Sequence, residues 1–163
     1  MYFARLAVLA LSLAVVAPQS VAAQSTPELP AAARQALATV QRFVDAFNRG
    51  DIAAVLATCA PRASIIDEVP PHEWQGANAC GDWVHDLAAA DKAAGVTDGS
   101  VTLGSPWRVD VNGSRAYLVV PATYRYKAHG KSVTEKDSIL TVALVRLGGA
   151  WRMTGWAWSA HRS

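Results

Sequence analysis

Arg115-Ala116-Tyr117-Leu118-Val119-Val120-Pro121-Ala122-Thr123-Tyr124-Arg125-Tyr126-Lys127-Ala128-His129-Gly130 is the stretch that decides the fold. Aromatic, β-branched and small residues fill it at period two, and it ends on a turn signal. Similar runs lie on either side, so the second half of the chain reads as a meander with strands over 100–111, 115–128, 131–146 and 150–160. Asn112-Gly113, His129-Gly130 and Gly148-Gly149 supply the turns. Pro106, Pro121 and Gly155 fall inside these strands and predict bulges that bend the sheet. Alternation puts Tyr124 and Tyr126 on one face and Tyr117 on the other, and leaves open which face looks inward.

Upstream the period changes to helical. Leu37, Val40, Val44 and Phe47 line one side of a helix starting near Ala33, with Phe43 beside them. Gly50 suits the end of that helix, and Asp51 suits the start of a second, running from Ile52 to about Ala60 before Pro61. A strand over 62–69 stops at Pro70-Pro71 and is followed by a short extended piece at 73–75. A third helix, with Asn78 at its start and Trp83, Val84 and Leu87 on its apolar stripe, runs to Gly95. Its alanine-rich end, Ala88 to Ala94, fits an outer wall. Helices first and a curved, mostly antiparallel sheet last is an α+β arrangement.

The chain has 163 residues, with 15 Lys and Arg against 13 Asp and Glu. Arg5, an apolar run from Leu6 to Ala17, Pro18 and the small residues Val21-Ala22-Ala23 have the layout of a signal peptide, residues 1–23. A protein released to the periplasm or secreted is therefore expected. The apolar run is too short for a membrane anchor to remain. Residues 24–33, with Pro27 and Pro30, read as a flexible leader, and 34–163 as one domain. A balance this close to neutral carries no electrostatic footprint for nucleic acid. Cys59 and Cys80 are an even pair in an exported chain, so a disulfide is one reading and two buried thiols the other.

Chemistry concentrates in Ala63-Ser64-Ile65-Ile66-Asp67-Glu68-Val69-Pro70-Pro71, where two carboxylates end an apolar strand. Facing a cavity, Asp67 would be desolvated toward a usable base; facing water, it is a surface acid. Regular alternation points Glu68 the other way. Glu135 and Asp137 share a face with Arg125 and Lys127 across their hairpin, which reads as charge pairing. His72 follows the turn, either at a pocket mouth or simply solvated. His72, His85, His129 and His161 have no short ligand spacing, so no metal is expected. No phosphate-binding glycine loop or nucleophile elbow is present, and no cofactor is expected.

The order helix, helix, strand, helix, meander, with Arg49-Gly50-Asp51 between the first helices and Trp151-Arg152-Met153 and Trp156-Ala157-Trp158 in the last strand, resembles the NTF2-like superfamily. More narrowly it resembles its exported SnoaL-like and DUF4440-type members. The resemblance implies a cone in which three helices pack on a curved sheet and leave a pocket, here lined by Phe43, Ile65, Trp74, Trp83, Tyr124, Tyr126, Trp156 and Trp158. It also implies a homodimer through the open sheet face. In the steroid isomerases of the superfamily the catalytic aspartate ends the first strand, where Asp67 stands. Their two oxyanion donors match Phe43 and Ala143, neither of which can donate, and losing one such donor typically costs about 3 to 4 kcal/mol. Three functions follow: binding of a small apolar, aromatic or carbonyl-containing molecule without catalysis, acid/base chemistry of isomerase, cyclase or dehydratase type with Asp67 as base, or a homodimeric interaction module.

Overall fold

The computed structural model describes residues 29–160; the expected signal peptide, most of the leader and His161 lie outside them. Helix α1 (Ala31–Asn48) already begins inside the expected leader and buries Ala33, Ala36, Val40, Phe43 and Val44 along one face. Gly50 takes the left-handed conformation that ends it, at φ 65°. Asp51 then caps α2 (Ile52–Thr58), its carboxylate accepting from the Ala54 amide at 3.0 Å. The chain enters β1 (Cys59–Ile66) directly, so Pro61 sits within a strand instead of stopping a helix. Strand β2 (Glu73–Gly76) folds back on it, and α3 (Ala79–Ala93) follows, closed by Gly95 at φ 60°.

The remaining strands are β3 (Val96–Leu103), β4 (Arg108–Asn112), β5 (Arg115–Ala128), β6 (Lys131–Leu147) and β7 (Ala150–Ser159). The sheet runs β2-β1-β7-β6-β5-β3, with β4 also on β5. Every pair is antiparallel except β1 with β7. The expected single strand over 100–111 is two strands, because Gly104 to Trp107 occupy the length that Val120 and Pro121 take on β5. Pro106 has no amide to give a ladder there. Pro121 itself stays in register opposite Ile139, and the bulge falls later, where Lys136 and Asp137 together oppose Thr123. Asp137 absorbs it at φ 61°. Gly155 lies beside a second register shift, and an added Cβ there would collide with the Ser64 carbonyl of β1.

The core fills the space between α1 and one sheet face, where Leu118, Val120, Val142, Leu144 and Met153 are fully buried. The edge strand β3 is held to α1 by Asn48, whose side-chain amide exchanges two 2.8 Å hydrogen bonds with the backbone of Val101. A disulfide joins Cys59 at the start of β1 to Cys80 in the first turn of α3, with Cα atoms 6.7 Å apart.

Candidate functional site

The inner sheet face continues beyond the core into a cavity of about 370 Å³ walled by α1, α3 and β3 and by the loop after β1. Even-numbered residues of β5 face inward along its whole length: Ala116 to Ala122 are buried in the core, and Tyr124, Tyr126 and Ala128 line the cavity. On β6 the inward set changes parity. Ser138, Leu140, Val142 and Leu144 face the interior, and beyond the bulge the cavity residue is Glu135. Glu135 therefore does not pair with Arg125 or Lys127, as uninterrupted alternation predicts; it lies opposite Tyr124 and accepts a 3.0 Å hydrogen bond from the Tyr126 hydroxyl. Lys127 instead meets Asp98 at 2.8 Å.

Asp67 stands just past the end of β1 and faces the cavity. Its Oδ2 accepts the Trp83 indole N–H at 3.0 Å and its Oδ1 the Glu68 amide at 2.6 Å. Burial raises its pKa, and those two hydrogen bonds, which favour the anion, offset only part of the rise. Glu68 lines the cavity too, against the expectation that it faces away. The ladder of β1 ends at Ile66, so period-two alternation no longer governs the next two side chains. Glu68 accepts the Ala160 amide at 2.8 Å and so ties the end of β7 to this corner.

Three rings form the buried part of the wall: Phe43, Trp83 and Trp156, with centroids 5.0 to 6.0 Å apart. Tyr124 stacks on Tyr126 at 4.9 Å and meets Trp158 edge-on at 6.4 Å. The Tyr124 hydroxyl lies against Gly99, where a Cβ would displace it. That hydroxyl has no hydrogen-bond partner among the described residues, and its pKa is raised by burial and by the charges of Asp91 and Glu135, so it remains a neutral donor. Asp91 comes from the alanine-rich part of α3, which is cavity wall as well as outer wall. Burial and the Asp67 charge raise its pKa.

Of the predicted lining, Phe43, Trp83, Tyr124, Tyr126, Trp156 and Trp158 meet in this cavity. Ile65 and Trp74 do not. Ile65 is fully buried in the core, and Trp74, paired with it on β2, donates its indole N–H to Asp86 at 2.9 Å. His72 is exposed outside the cavity, with Nδ1 3.2 Å from the Asp67 carbonyl. Ala143 is exposed on the outer face, so it is no pocket position; Leu140 and Glu135 are the residues of β6 that reach the cavity. Sequence reasoning missed Asp91 and Glu135. Asp91 lies four residues beyond Leu87 on the same helix face, a usable signal; Glu135 required the bulge to be known. Among the described residues no group of three or more His, Cys, Asp or Glu is arranged to hold a metal.

Comparison with known proteins agrees with this architecture. A ketosteroid isomerase-like protein from Erwinia carotovora superposes with a TM-score of 0.65 at 16% identity, over 83% of this chain and all of its own. A hexachlorocyclohexane dehydrochlorinase of LinA type from Novosphingobium barchaimii gives 0.67 at 12% identity, over 80% and 88%. An NTF2-like protein with a cystatin-like fold from Novosphingobium aromaticivorans gives 0.62 at 16%, over 79% and 82%. Likeness at such identities establishes the fold and not the chemistry. No curated protein matches in sequence. The sequence model of the SnoaL-like domain matches residues 40–149, most of the chain, and the protein belongs to that family, with the NTF2-like α+β fold.

Proposed function

We propose that this protein binds a small, largely hydrophobic organic molecule in the cavity, with Asp67 as the polar group that meets it. The observation that carries the reading is a desolvated carboxylate, fixed by Trp83 and the Glu68 amide, on the wall of an otherwise mainly aromatic and aliphatic cavity. A cavity of this size and lining suits a ligand of one or two rings. Asp67→Asn keeps the shape and an acceptor for Trp83 but removes the charge. Thermal-shift and calorimetric screening of aromatic and carbonyl compounds should find binders, and the variant should weaken them. A screen in which no compound raises the melting temperature contradicts the reading.

Acid/base catalysis is the second reading, favoured by the raised pKa of Asp67 and by the unpartnered hydroxyl of Tyr124 on the same cavity. Here Asp67 takes a proton next to a carbonyl and Tyr124 donates to the developing oxyanion, the role that Phe43 cannot fill. Asp67→Asn would then abolish turnover, and Tyr124→Phe would lower it by about a hundredfold or more, while ligand still binds. Two neighbours named for isomerase-like and dehydrochlorinase proteins make this a reasonable class to assay.

We further propose that the protein is exported and dimeric. The signal-like residues 1–23 and the Cys59–Cys80 bond support export, which cell fractionation tests. An outer sheet row of Ile66, Ala157, Thr141 and Val119, uncharged between Glu73 at one end and Arg108 at the other and with exposed Trp107 hydrogen-bonded beside it, supports a dimer face. Light scattering should report twice the mass of the mature chain.

A further inference from the structure

The charge of the cavity wall has one sign. Among the described residues Asp67, Glu68, Asp91 and Glu135 line it, and no Lys, Arg or His does. Lys92 and Lys136, which follow Asp91 and Glu135 in sequence, are exposed and do not line it; on β5, Lys127 is exposed and meets Asp98, and Arg125 is exposed and contacts Thr102. Asp67, Asp91 and Glu135 have no cationic partner among the described residues; the hydrogen bonds that Asp67 and Glu135 accept come from neutral groups. Interspersed with these acids are aromatic rings, whose faces are also negative. A carboxylate set in such a wall repels an anion, gains nothing from an alkane and attracts a cation, and ring faces attract organic cations by the same sign of field. An acid pair placed for structure would be expected to carry its own counter-charge, and Asp67, Asp91 and Glu135 have none among the described residues.

We infer that the ligand of this cavity is an organic cation, an aromatic or aliphatic body bearing a protonated amine or quaternary ammonium group. The body packs on the buried rings Phe43, Trp83 and Trp156, and the cationic head lies among Asp67, Asp91, Glu135 and the Tyr124 ring. The inference rests on the ligand-pocket reading and adds the sign of the ligand's charge. It narrows the ligand class from neutral carbonyl compounds to amines, and it predicts that binding weakens as pH falls and Asp67 and Asp91 take up protons.

Three probes of one shape test it: 2-phenylethylamine, 2-phenylethanol and phenylacetate, which are cationic, neutral and anionic at neutral pH. Isothermal titration of the purified protein should show the amine binding at least about tenfold more tightly than the alcohol, with phenylacetate weakest. Asp91→Asn combined with Glu135→Gln, checked for an unchanged circular-dichroism spectrum, should shrink the preference for amine over alcohol to within about threefold. If that variant fails to fold, raising the salt concentration in the wild type should shrink it in the same direction. Equal or tighter binding of the alcohol or of phenylacetate overturns the inference while leaving the pocket reading in place. Binding of none of the three by folded protein overturns both.

Discussion

Strands β5 and β6 are core at one end and cavity wall at the other, and the two ends differ in what their inward residues are. Under α1 the pairs are Ala116 with Leu144, Leu118 with Val142 and Val120 with Leu140, all buried and all aliphatic. Past the bulge the pairs are Tyr124 with Glu135 and Tyr126 with Val133, half-buried and partly polar. One extra residue on β6 separates the regimes, because it reverses which side chains point in. A local change of register thus sets a cavity wall on a packed sheet and leaves the core pairing intact.

Breaking the core end should have the largest effect. Leu118→Ala removes a fully buried side chain where α1 and the sheet hold the space open, and should lower unfolding stability by about 3 to 5 kcal/mol in urea. Next comes the tie between β1 and α3, the element that presents Trp83. Replacing Cys59 and Cys80 with Ser should lower stability by about 3 kcal/mol, the entropy of closing a loop with a sequence separation of 21. Thermal unfolding with and without reductant gives the same comparison.

The cavity end should respond differently. The Asp67 pKa is raised in the folded state, so the folded protein holds that proton to higher pH than the unfolded chain does. Its contribution is therefore most favourable in acid and is lost as pH rises from the ordinary value of 3.8 through the higher folded value. Asp67→Asn should flatten that decline and melt at or above the wild-type temperature at neutral pH. A lower melting temperature there would mean that the charge is structurally paired. The smallest effect is expected at Tyr126→Phe, which removes a partly buried hydrogen bond to Glu135 and should change stability by no more than about 1.5 kcal/mol. Together these changes separate an end of the sheet that holds the fold from an end that lines the cavity.

The fold was largely legible because it is written in local periods. The alternation through Leu118, Val120 and Ala122 and the helical spacing of Val40, Val44 and Phe47 give the elements, and Gly50, Gly95 and Asn112-Gly113 give their ends. Asp67 was legible from its place at the end of a strand and from family resemblance. What stayed hidden came from interruptions of period. Glu135 is turned inward by Asp137, a residue with no proline or glycine to announce the bulge. Glu68 joins Asp67 because the β1 ladder has already ended, and Ile65 and Trp74, apolar like the true lining, are in the core because β2 folds over that edge. Pro106 marked a real irregularity, but its size, a complete break between β3 and β4, depends on how β5 is paired.

The tryptophan indoles allow the central claim, a ligand site built around Asp67 at the far end of the sheet, to be tested in one titration. Trp83, Trp156 and Trp158 line the cavity, Trp74 donates to Asp86, Trp107 is 68% exposed and Trp151 is buried in the core. In nitrogen-proton correlation spectra, titration with 2-phenylethylamine should shift the indole signals of Trp83, Trp156 and Trp158 saturably, and leave Trp74, Trp107 and Trp151 in place. Asp67→Asn should weaken that response and move the Trp83 signal already in the free protein, because its acceptor has lost its charge. Saturable shifts at Trp107 or Trp151, with the cavity indoles unmoved, would contradict the account.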